Sequence, residues 1–323
     1  MLRKVRQSLS SGGVVQLASV MILTISLASC GDDDPGPAAT LPNMAQPPPP
    51  ETTVMVDRAH NNGHHLGTTL GPLATMLSSA GYSLISSELS FNSESLARGS
   101  VLVISNALHQ RNASGDWSLP TPSAFSDEEI QAVQDWVQAG GSLLLIADHM
   151  PFPGAAEALA AAFGVAFKNG FAFDASQIQA PVPCLLPRQI QIFRRSDGSL
   201  ADHVITNGRN AGERVDSVAT FTGQAFEPDG VTTSLFTFGL AAVIWTPEVA
   251  WQFDSETPEL NVEGWRQGAV LESGLGRVAL FGEAAMFTEQ TCGNDFPMGM
   301  NAPAASQNRQ FIINLFRWLF RDL

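Results

Sequence analysis

The chain has 323 residues, of which 44% are hydrophobic and only 15% charged, so it can bury a sizeable core. Its 17 Lys and Arg against 31 Asp and Glu leave a net charge of −14, which argues against a nucleic-acid partner, because phosphate binding needs a basic face. Three cysteines are too few to staple a chain of this length, and one apolar run of near-membrane length is too little for a polytopic membrane protein.

In chain order, Arg3, Lys4 and Arg6 precede a short apolar run, Val14 to Leu27, that ends in Leu27-Ala28-Ser29-Cys30. Positive start, apolar run and cysteine follow the order of a secretory signal, and the last four residues closely resemble a bacterial lipobox. Residues 1–29 are therefore expected to be a lipoprotein signal peptide, with Cys30 lipidated as the new N-terminus. The protein would then sit in the bacterial cell envelope, held on a membrane surface by buried acyl chains rather than by a spanning helix. Residues 30–51 are rich in Asp, Pro and Ala and end in Pro47 to Pro50, a composition that buries too little to fold and reads as a tether.

Residues 52–323 are expected to be one folded domain. Val54 to Val56 is an apolar strand ending at Asp57. Leu70, Leu73, Met76 and Leu77 repeat at helical spacing within Thr68 to Ala80, before Gly81. Tyr82 to Ile85 and Val101 to Ile104 read as further strands. Ser126-Asp127-Glu128-Glu129 has the form of a capping box opening a helix that carries Ile130, Val133, Trp136 and Val137 on one face. After Gly140-Gly141 comes the apolar strand Leu143 to Ile146, then a helix from Gly154 to Phe163. Apolar strands alternating with helices predict an α/β fold with a doubly wound, mostly parallel sheet covered on both faces. From Phe171 the pattern becomes β-rich: Val215 to Phe221, Ala241 to Trp245, Gly268 to Leu271 and Val278 to Phe281 are predicted strands, the last two joined by a Ser273-Gly274-Leu275-Gly276 turn. Gln307 to Leu319 closes the chain as an amphipathic helix.

Ligands of an open α/β sheet bind beyond the carboxyl ends of its strands. With strands one, three and four as neighbours, Asp57, His60, Asn61, Asn106, His109, Asp148 and His149 share that rim, and Glu283 can join from a later strand. Imidazole with carboxylate serves either divalent-metal binding or acid–base chemistry. Asp57, His60 and His149 are the metal candidates, although no tight ligand motif such as His-Glu-x-x-His is present. Polar residues also crowd strand ends simply to satisfy a turning backbone. His203 reads as a loop hydrogen-bonder. There is no Gly-x-Ser-x-Gly elbow, no Walker lysine motif and no dinucleotide fingerprint. Cys184 and Cys292 lie in loop-like sequence, and an exported protein can oxidise them to a disulfide or carry them as buried thiols.

A resemblance is carried by the order Val54-Met55-Val56-Asp57, Val101 to Asn106, the helix–Gly140-Gly141–Leu143 to Asp148 segment, Asp202-His203-Val204-Ile205-Thr206-Asn207-Gly208, Gly282-Glu283-Ala284-Ala285-Met286-Phe287, and Asn308 to Trp318. Over Thr53 to Leu319 the chain resembles the class I glutamine amidotransferase-like superfamily. It is similar above all to exported relatives of the domains in gliding-motility ABC-transporter auxiliary proteins and of the GIFT domains of intraflagellar-transport proteins. The resemblance implies a flavodoxin-like sheet. It does not imply amidotransferase activity, which needs a nucleophile-elbow Cys that the first-half strands lack. The expected function is a binding lipoprotein that takes a small polar or glycan ligand, or an envelope protein partner, at the rim. The alternative is a metal-assisted hydrolase of envelope carbohydrate, ester or amide, with a divalent metal as its cofactor; catalytic residues are not assigned.

Overall fold

A computed structural model describes residues 50–174, 190–292 and 296–323. The signal and tether segments with Cys30, and also Cys184, lie outside them; Cys292 is disulfide-bonded.

The first half runs β1 (Thr53–Asp57), α1 (Gly71–Ser79), β2 (Ser83–Ser87), α2 (Ser93–Leu96), β3 (Val101–Ser105), α3 (Gln110–Ala113), α4 (Asp127–Gln138), β4 (Ser142–Ile146) and α5 (Phe152–Ala161). The second half runs β5 (Phe171–Asp174), β6 (Gln191–Arg194), α6 (Val204–Asn207), β7 (Ser217–Thr220), β8 (Thr233–Thr237), β9 (Ala242–Trp245), β10 (Glu259–Asn261), β11 (Arg266–Ser273), β12 (Gly276–Phe281), β13 (Glu289–Cys292), β14 (Phe296–Gly299) and α7 (Asn308–Leu319).

Seven strands form the central sheet in the order β2-β1-β3-β4-β12-β11-β8. The first five are parallel neighbours, and β11 and β8 add an antiparallel edge. This is the expected flavodoxin-like, doubly wound sheet. From β1 the chain winds to β2 on one side and returns to β3 on the other, so the strand order reverses between β1 and β3. The β-rich second half divides between the central sheet and smaller ones. β12, β11 and β8 extend the central sheet, while β10-β9-β5, β6-β7 and β13-β14 form small sheets of their own.

β1, β3 and β4 are buried along their whole length, as continuous apolar strands between two helical layers must be. On one face Val54, Val56, Val103 and Ile146 pack with Leu73 and Leu77 of α1 and Phe311 and Leu315 of α7. On the other, Leu102, Ile104 and Leu145 pack with Val133 and Val137 of α4 and Leu159 of α5. Each such fully buried side chain contributes about 1.5–3 kcal/mol.

The Ser126 capping box is present, with Ser126 accepting from the Glu129 N–H and the Glu129 carboxylate accepting in return. α1 begins three residues later than its hydrophobic spacing predicts, and α5 two residues earlier. Each carries a proline in its first turn, where a missing N–H breaks no helical bond. The β11–β12 turn lies at the expected place, with Gly274 at φ 59°.

Candidate functional site at the carboxyl rim of the sheet

β1 delivers Asp57 fully buried at its carboxyl end. The carboxylate accepts from the Ala59 N–H at 3.0 Å and from the Asn62 amide at 2.6 Å. It also lies 2.9 Å from Nδ1 of His60, whose Nε2 lies 2.9 Å from Oε1 of Glu129. The same Glu129 oxygen accepts the Phe91 N–H, and the His60 ring packs between Phe91 and Phe125 at 4.6 and 4.7 Å. Burial pushes the imidazole down, but two hydrogen-bonded carboxylates outweigh it and raise the pKa above the ordinary histidine value. His60 is thus a latch that ties the β1 loop to the first turn of α4, and neither ring nitrogen is left for a ligand.

β3 ends in Ser105 and Asn106, beside the reversal of strand order. The Asn62 amide oxygen accepts the Ser105 N–H at 3.0 Å, which joins the two loops. Asn106 holds φ 60° and accepts the Asp148 N–H on its side chain at 3.0 Å, which joins β3 to β4. Asp148 accepts the His149 N–H at 2.8 Å and a further N–H from Ala284. Glu283, two residues past β12, accepts the Ala285 N–H at 2.7 Å, the Met286 N–H at 2.9 Å and one from Phe221. Asp148 is 8% exposed and Glu283 1%. Burial raises both carboxyls above their ordinary values. Glu283, which also feels the Asp148 charge, is raised well above.

His149, next to Asp148 in the chain, belongs to a group of rings. His149 bonds the Met150 carbonyl through Nδ1 at 2.8 Å and stacks on Phe171 at 5.0 Å. Trp251 meets His149 and Phe171 edge-on, both at 4.7 Å. Trp117, Trp251 and Phe253 are half-buried around Met150, Phe171 and Ala250. His64 lies within electrostatic reach of His149, and burial, with His149 and His65 close by, pulls its pKa down to about 4. Its Nδ1 lies 2.6 Å from the Thr69 hydroxyl. Among the described residues four non-glycines hold positive φ: Asn61 at 48°, Asn106 at 60°, Trp251 at 67° and Arg321 at 65°. The first three belong to this rim. Asn tolerates the left-handed region, but a bulky aromatic there costs about 1–3 kcal/mol and persists only where its surroundings impose it.

The structure therefore groups Asn106, Asp148, His149 and Glu283, with Asp57 and His60 alongside as the latch. Asn61 bonds the Leu108 carbonyl at 3.2 Å from an exposed position. His109 caps α3, accepting the Arg111 N–H, and His203 caps α6 in the same way, accepting the Ile205 N–H. Asp57, His60 and His149 do not form a ligand set: among the described residues no three His, Cys, Asp or Glu side chains are grouped to hold a metal ion. Sequence reasoning missed Glu129, Trp251 and Ser105. Glu129 carried a signal, its capping-box position, but only for a helix start.

No family model and no curated protein matches the chain. Solved structures do. The mmIFT52 N-terminal domain superposes with a TM-score of 0.57 at 12% identity, over 83% of this chain and 97% of that one. At that identity the likeness is one of fold. A putative ThuA-like protein from Bacteroides uniformis gives 0.44 at 11% identity, over 84% and 91%. The cytoplasmic protein STM1381 from Salmonella typhimurium gives 0.42 at 13%, over 83% and 98%.

Proposed function

We propose that this chain is an amidotransferase-like binding domain that takes a small polar, glycan-like ligand at the carboxyl rim of its sheet. The observation that carries the reading is the gathering of strained backbone, two buried carboxyl groups and half-buried tryptophans at one place. A fold that needed the rim only as a hinge between strand and loop would have no use for a left-handed Trp251 or for an Asp148–Glu283 pair. The end of β4, where an elbow Cys or Ser would sit, leads instead into Asp148, which brings neither thiol nor hydroxyl. That favours binding over covalent catalysis.

The test is a thermal-shift screen against oligosaccharides. A ligand at about 100 times its Kd stabilises by about 2.7 kcal/mol, which raises the melting temperature by several degrees. Asp148→Ala combined with His149→Ala is expected to leave a cooperative melt and to abolish the ligand-induced rise. An unchanged rise in the double variant removes the rim as the binding site, and turnover in a parallel hydrolase screen replaces binding with catalysis.

We further propose that Cys30 anchors the domain by lipid to a membrane surface in the cell envelope, with the Pro-rich segment as spacer. The support is the order of charge, apolar run and small residues before Cys30. Cys30→Ala is expected to move the protein from the membrane to the soluble fraction. Equal membrane retention of the variant would discard the anchor.

A further inference from the structure

The small sheet β10-β9-β5 ends in an open edge, because β10 pairs with β9 alone. The Thr246 N–H donates to the Pro258 carbonyl at 3.0 Å, and the Val262 N–H to the Ala242 carbonyl at 2.9 Å. Pro258 and Val262 therefore turn their backbone groups to β9. By the alternation of a strand, Glu259 and Asn261 between them turn theirs outward. Among the described residues neither finds a backbone partner on that side. All three residues of β10 are exposed.

The side chains at this edge are apolar and acidic. Leu260 is 45% exposed, and Leu240, at 76%, is the most exposed large hydrophobic side chain among the described residues. The Asn261 amide donates to the Leu240 carbonyl at 3.0 Å, so the two leucines flank Asn261. Glu259 accepts the Trp245 indole N–H at 2.8 Å, and the Glu263 N–H donates to the Asn261 side-chain oxygen. Glu256, Glu259 and Glu263 are exposed, and among the described residues none of them forms an ion pair. Between Arg214 and Arg266 the sequence has no Lys, Arg or His. Short length and like charge guard an edge against pairing with its own copy, but they do not account for two exposed leucines.

We propose that the β10 edge takes an extended segment of a partner protein, bearing Lys or Arg, as a further strand of this sheet. The inference does not rest on the glycan-binding reading. Outward backbone groups call for a strand, because only a strand meets them in register. The carboxylates select positive charge and repel a second copy of the same edge. Glu259 lies opposite Trp245 and Leu260 opposite Ile244, so the two side chains belong to opposite faces of the sheet. A segment that fits therefore alternates basic residues, on the Glu259 face, with apolar ones, on the Leu260 face.

The experiment measures fluorescence anisotropy of a labelled octapeptide of alternating lysine and valine, titrated with the full chain in a neutral detergent. The matching peptide of alternating glutamate and valine is the control. The lysine peptide is expected to bind at least about tenfold more tightly, and to weaken as salt screens the carboxylates. Asn261→Pro removes one outward N–H and no bond to β9, and is expected to abolish binding while leaving a cooperative melt. Glu259→Lys combined with Glu263→Lys keeps every backbone group and is expected to reverse the preference between the peptides. Lysine-peptide binding that survives both Asn261→Pro and the double charge reversal overturns the proposal, because the attraction is then to the acidic chain at large. Equal binding of the two peptides, binding of neither, or self-association of the chain through this edge overturns it as well.

Discussion

His60→Ala is expected to lower the melting temperature by about 6–20 °C. The substitution leaves Asp57 fully buried and Glu129 largely so, both without their cationic partner. Breaking a buried pair by removing one partner costs about 3–5 kcal/mol, and in a domain of this size each kcal/mol is worth about 2–4 °C. The loss must depend on pH, and its sign follows from the two groups. The His60 pKa is raised above 6.5, because Asp57 and Glu129 outweigh the burial that would lower it. Its contribution is therefore whole below the unfolded value and fades as pH climbs through the raised one. The Glu129 pKa is lowered below 4.5, because the Ser126 and Phe91 N–H groups and His60 outweigh a burial that would raise it. Its contribution is whole above the unfolded value and fades as pH falls through the depressed one. The latch is strongest between those two ordinary values, so melts of wild type and His60→Ala should differ most near pH 5.5 and less at pH 9. An equal difference at both would mean that His60 matters only as a space-filling ring between Phe91 and Phe125.

The same latch shows what a sequence conveys and what it withholds. Apolar runs such as Val54 to Val56 and Leu143 to Ile146 declare buried parallel strands, because every side chain of such a strand must be apolar. Strand ends then place Asn106, Asp148, His149 and Glu283 on one rim without knowledge of any contact. The bond between His60 and Glu129 spans 69 residues, and nothing local distinguishes a capping-box glutamate that also holds a histidine from one that does not. The candidate metal set, which the described residues do not assemble, shows the same thing: proximity to a strand end gives a side chain an address but not its hydrogen-bond partners. Strands as short as β5, β6 and β10 form no readable period, and β7 and β9, no longer than these, were legible only through the longer apolar runs around them. The left-handed backbone at Trp251 is unreadable in principle, since tryptophan is among the residues least suited to it.

Asp148→Asn is expected to do the opposite of most buried substitutions and stabilise the fold, by about 1–2 kcal/mol at pH 8. The sign follows from linkage. Burial raises the Asp148 pKa above 3.8, and burial together with the Asp148 charge raises that of Glu283 well above 4.5. A carboxyl raised by folding holds its proton in the native state after the unfolded chain has lost it. Stability is then fully present below the unfolded values and falls as pH rises towards the raised ones. The amide keeps an oxygen for the His149 N–H and carries no charge, so the decline with pH should flatten and the two proteins should coincide near pH 3.5. Melting curves across that range decide it. A variant that melts below wild type at pH 8 would show that the Asp148 charge supports the fold, and the case for a ligand would weaken with it. A more stable variant that has also lost the ligand-induced rise in melting temperature would place the cost where a binding site places it: in a charge held ready for a partner that arrives from outside.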